Sequence, residues 1–146
     1  MNINFDVNPK FEWRVFQGDN FLVEVVAWKN VIKSEELSNL MSDSWVWNVY
    51  AYIRKEHSIF NNVDDVLSLP FHGGVSFKQK FTSIPFDGIK YDWQKEIEYA
   101  QIGSDYNHYN DEYFKNYDPV DGIPYEIKED VTELVEALLN YKETNE

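Results

Sequence analysis

The sequence predicts an α+β domain: an antiparallel β-sheet of about five to six strands, covered on one face by a C-terminal helix, with short helices besides. Three observations predict it. Aromatic and β-branched residues alternate with a period of two in several separate runs. Gly, Asp, Asn and Pro break those runs where turns are needed. Residues 126–142 change to a helical period. The 146 residues suit a single domain spanning 1–146, long enough to bury a two-layer core.

The elements follow in order. Ile3, Phe5 and Val7 alternate with Asn4 and Asp6 until Pro9 interrupts. Phe11, Trp13 and Val15 then alternate with Glu12, Arg14 and Phe16. Gly18-Asp19-Asn20 is a turn, and Phe21 to Trp28 completes a β-hairpin. Ser34 is placed to cap a short helix within residues 31–41. Trp45 to Ile53 is the strongest strand. Trp45, Trp47, Val49, Ala51 and Ile53 fall on one face, and Val46, Asn48, Tyr50 and Tyr52 on the other. That second face can cover a helix or floor a ligand cleft. Residues 54–69 read as a connection, 70–81 and 97–106 as strands, and 110–117 as one or two helical turns. A turn-rich loop over 118–124 precedes the final helix, in which Ile127, Val131, Leu134, Val135, Leu138 and Leu139 form an apolar stripe. Glu129, Asp130, Glu133 and Glu136 take its wet face.

Composition excludes several function classes. The chain has no cysteine, so disulfides, zinc–thiolate sites and cysteine nucleophiles are ruled out. The net charge of −13 repels phosphate and disfavours general binding of nucleic acid. The same acidity suits a basic protein partner, or simply keeps the chain in solution. No apolar run approaches the roughly 20 residues of a membrane span, and the N-terminus lacks a signal-peptide pattern. No membrane association and a cytoplasmic location are therefore expected. With five Trp, ten Tyr and ten Phe, the chain carries more rings than one small core requires, and some are expected at a pocket or an interface, including that of a homo-oligomer.

Two blocks concentrate polar chemistry. In His72-Gly73-Gly74, glycines permit positive φ and close approach of a ligand to backbone amides; a strand bulge is the plainer explanation. Asp105, His108 and Asp111 stand three apart, a spacing that suits metal binding or proton transfer, and equally suits helix capping. Arg54 follows the aromatic strand and can meet a phosphate, or can be a surface ion pair. Walker, dinucleotide, nucleophile-elbow and His-Glu-x-x-His motifs are absent from the sequence, so no cofactor is expected.

Trp47-x-x-Tyr50, His57, the run His72-Gly73-Gly74-Val75-Ser76-Phe77 and Gly103-x-Asp105-x-x-His108-x-x-Asp111 lie in one order over residues 45–140. In that order they resemble a family of small uncharacterised phage, prophage and bacterial proteins. Ser58, Ser104, Tyr106 and Asn110 stand where that family's pattern has proline, an aromatic, cysteine and glycine. The resemblance implies that His57, His72 and His108 line one cleft.

The leading expectation is a phage- or prophage-type accessory protein that binds a small nucleotide-like ligand without catalysis and sequesters a host immune signal. Tyr50 and Tyr52 would stack on a base; the Gly73 and Gly74 amides with Arg54 would hold phosphate; His72, Asp105 and His108 would fix hydroxyls. His57 and Asp111 complete the expected lining. The alternative is an acidic inhibitor that imitates nucleic acid before a basic host enzyme. A metal-dependent hydrolase using His57, His72, Asp105, His108 and Asp111 ranks third.

Overall fold

A computed structural model of the chain describes residues 10–30, 44–81, 99–106 and 111–141. Expectations placed on residues 1–9, 31–43, 82–98, 107–110 and 142–146 lie outside the described residues, including the short helix after Ser34 and the site residue His108.

The α+β class holds. Strands β1 (Lys10–Gln17), β2 (Phe21–Asn30), β3 (Ser44–Arg54), β4 (Phe77–Phe81) and β5 (Tyr99–Asp105) form one antiparallel sheet. Its order is β1-β2-β3-β5-β4. The last strand thus fills the slot between β3 and β4. Helices α1 (Val63–Leu67), α2 (Glu112–Lys115) and α3 (Tyr125–Leu139) are the α-helices among the described residues, with a 3-10 turn at Pro119–Asp121.

The period of two assigns the two faces. Phe21, Val23, Val25 and Ala27 of β2 stand opposite Ile53, Ala51, Val49 and Trp47 of β3. Ala100 and Ile102 of β5 continue that face. These residues join Ile127, Val131, Leu134 and Leu138 of α3 in one buried core. Removing each Leu-sized side chain from water contributes roughly 1.5–3 kcal/mol. The apolar stripe read from the sequence therefore does face the sheet, although Leu139 turns outward and is exposed.

Three expectations are corrected. Phe16 does not share the face of Glu12 and Arg14. The register shifts between Arg14 and Phe16, so β1 carries one extra residue at Val15, which stays on the side of Val25 and Val131, and Phe16 turns to the core. There Phe16 stacks on Phe21 with centroids 4.9 Å apart. An extra residue in one strand inverts the alternation beyond it. Residues 70–76 are not strand. Gly73 and Gly74 have φ of 68° and 87°, and the Gly74 amide donates to the Phe71 carbonyl at 2.9 Å, closing a turn before β4 begins. Residues 54–69 are not plain connection, because Asn62 caps α1 by accepting from the Asp65 amide.

Candidate functional site

The sheet divides the expected site residues into two groups. His72 and Asp111 lie on the face covered by α3. Tyr50, Tyr52 and Arg54 belong to the second face, which β3 assigns by its alternation with Trp47, Val49, Ala51 and Ile53. Asp105 pairs with Asn48 and joins this second face.

On the helix-covered face, Asp111 is 3% exposed. It occupies the N-cap position of α2, yet its side chain makes no capping bond. The carboxylate turns instead to His72, whose Nε2 lies 2.8 Å from Oδ1 and 3.0 Å from Oδ2. The His72 ring stacks on Tyr106 with centroids 4.2 Å apart and planes 10° apart. Phe114 meets both rings edge-on. The Tyr106 hydroxyl donates to Asp130 of α3 at 2.5 Å. Burial and the Asp130 carboxylate push the Tyr106 phenol well above its ordinary range. Two carboxylates thus clamp an aromatic stack. Nothing in the sequence marks Tyr106 and Asp130 as partners, because they come from a strand end and a helix.

His57 belongs to neither group. Its Nδ1 accepts from the Ile59 amide at 3.1 Å, which makes Nε2 the donor to the Leu138 carbonyl at 2.9 Å. The ring thereby ties the chain after β3 to the end of α3. Leu138 and Asp130 are separated by about 12 Å of helix at 1.5 Å per residue. His72 is not among the hydrogen-bond or ring partners of His57. Of the expected donor set, His72 and Asp111 meet as a pair, and among the described residues no group of three or more His, Asp or Glu is placed to hold a metal. The Gly74 amide is already engaged in its turn.

The second face carries a groove of about 400 Å³ lined by Lys10, Glu12, Glu24, Val26, Trp28, Tyr50, Tyr52 and Gln101. Cross-strand register brings these residues together. Lys10 stands opposite Trp28, Glu12 opposite Val26, Glu24 opposite Tyr50, and Tyr52 opposite Gln101. Tyr50 and Tyr52 lie 6.4 Å apart, and Tyr52 and Tyr99 6.0 Å. The Tyr52 hydroxyl accepts from Gln101 Nε2 at 3.1 Å. Desolvation, with Glu24 nearby, raises the Tyr52 phenol far above its ordinary value; desolvation raises Tyr50 too. Both phenols are held neutral through the physiological range.

Gly103 gives Tyr50 its position. A Cβ at Gly103 would stand 2.4 Å from Tyr50 Cδ1 and 2.8 Å from the Val49 carbonyl oxygen. The ring lies flat over the glycine because nothing projects there. Glu24, Trp28 and Gln101 escaped the sequence reading. The signal was present in β2, where Glu24, Val26 and Trp28 alternate with Val23, Val25 and Ala27.

No family model, curated protein or solved structure matches this chain.

Proposed function

We propose that the protein is a non-enzymatic binder of a small nucleotide-like ligand held in the groove on the second face. The groove itself carries the reading. Its volume falls in the range of small-molecule sites, and Trp28, Tyr50 and Tyr52 offer ring faces for a base. Glu12, Glu24 and Gln101 offer acceptors for ribose hydroxyls. Among the described residues that line the groove, Lys10 is the cation, paired with Glu12 at 2.8 Å, so it replaces the Gly73 and Gly74 amides as the expected phosphate contact. The wider role that such a binder would serve is to sequester a host immune signal.

Calorimetry of the full chain against nucleosides and nucleotides tests this. Binding that Tyr50→Ala and Tyr52→Ala each weaken by roughly ten-fold or more is the expected result, since base–aromatic stacking contributes about 1–3 kcal/mol. A full panel with no binding ends the proposal.

A second reading rests on α3, where Glu126, Glu129, Glu133 and Glu136 are exposed, beside the exposed ring of Tyr125. In that reading the acidic helix occupies a basic host enzyme. Capture of such an enzyme would fall with added salt and with Glu126→Gln/Glu129→Gln/Glu133→Gln. Capture indifferent to both rules it out.

A further inference from the structure

We propose that the groove selects a guanine base, and that Glu24 is the residue that reads it. This rests on the groove being the ligand site. Glu24 stands between Arg14 on β1 and Tyr50 on β3. Arg14 approaches one oxygen of its carboxylate: Nε is 3.2 Å and Nη2 3.1 Å from Oε1. That contact fixes the orientation of the carboxylate. Oε2 receives no donor from the described residues, and Glu24 is one of the residues that line the groove.

Beside it stands a donor. Tyr52 accepts from Gln101, so its own O–H proton is left to give. Burial and Glu24 keep that proton in place. The groove thus offers a negative acceptor next to a neutral donor, with rings above and beside them.

The pairing edge of guanine answers this arrangement. It presents two adjacent N–H donors, the ring imino group and the exocyclic amine, next to a carbonyl oxygen. The donors meet Glu24 and the carbonyl meets Tyr52. Adenine and cytosine each present one amine beside a ring-nitrogen lone pair, which would face the Glu24 charge. Uracil presents one N–H flanked by two carbonyl oxygens, with the same conflict. Electrostatics at Glu24 therefore discriminate by repulsion as well as attraction.

The test uses fluorescence titration of the full chain, read from its tryptophans, with guanosine, adenosine, cytidine, uridine and guanosine monophosphate. Guanosine is expected to bind roughly ten-fold or more tighter than adenosine. Glu24→Gln is isosteric and should erase most of that preference while leaving the thermal transition cooperative. Arg14→Met removes the contact that orients the Glu24 carboxylate and should narrow the preference without reversing it. Nucleosides that bind without favouring guanosine, or a preference that survives Glu24→Gln, overturn the assignment and leave the groove reading standing. If no nucleoside binds, the groove reading and this assignment fall together. Guanosine monophosphate that binds no tighter than guanosine places recognition in the base; a large gain from the phosphate with no base preference overturns the assignment.

Discussion

Asp111 holds His72 through both carboxylate oxygens across thirty-nine residues of chain. The bond ties the start of α2 to the turn that leads into β4. It also fixes the ring that stacks on Tyr106. Asp111→Ala removes the buried acceptor from a ring that is 29% exposed. A loss of roughly 1–3 kcal/mol of stability is expected, measured by urea unfolding. Asp111→Asn keeps an acceptor and should lose less. Neither variant should change nucleoside affinity, because the groove lies across the sheet. A parallel loss of binding in a variant that still unfolds cooperatively would join the two groups into one site.

Tyr106 predicts the alkaline limb of stability. Its phenol titrates above its ordinary value in the folded chain and at about 10 once unfolded. The unfolded state therefore releases a proton that the folded state keeps. The stabilisation is complete below pH 10 and is lost as pH rises beyond it, by about 1.4 kcal/mol per pH unit for each such tyrosine. Tyr52 and Tyr50 act in the same direction. Tyr106→Phe should flatten the fall of urea stability between pH 10 and pH 11 by about one proton. An unchanged slope would mean that the Tyr106 phenol ionises in the folded protein as readily as in the unfolded chain.

Gly103→Ala forces a Cβ into the ring of Tyr50 and against the Val49 carbonyl. Overpacking of this kind costs about 1–3 kcal/mol. In a Tyr50→Ala background the ring is gone and the cost should shrink, giving a coupling of roughly 0.5–3 kcal/mol in a double-mutant cycle. Additive effects would show that the Val49 contact alone requires the glycine.

Much of this organisation is legible in the sequence, and the unreadable part has physical causes. The Gly18 turn, the faces of β3 and the buried stripe of α3 follow from local periodicity, which the backbone obeys directly. The His72 and Asp111 blocks stand out by composition, and the fold does bring them together. Their separation from Tyr50 and Tyr52 does not show, because a strand's alternation says that two faces exist and not which loop returns to which. Val15 shows another limit: a bulge leaves no compositional mark, yet it reverses every assignment after it. His57 sits within a motif-like block, and its partners are a backbone carbonyl and a backbone amide that have no sequence signature.

The place of β5 between β3 and β4 also sets an order of events during synthesis. The meander β1-β2-β3 pairs neighbours in sequence, so it can close as soon as Arg54 has left the ribosome. That meander already holds every groove residue except Gln101. The clamp of His72, Tyr106, Asp111 and Asp130 must wait for nearly the whole chain. Until β5 arrives, the long edge of β3 stands unpaired on the nascent protein. The step most exposed to misassembly is therefore the docking of one seven-residue strand onto that edge, since β4 joins the sheet through β5.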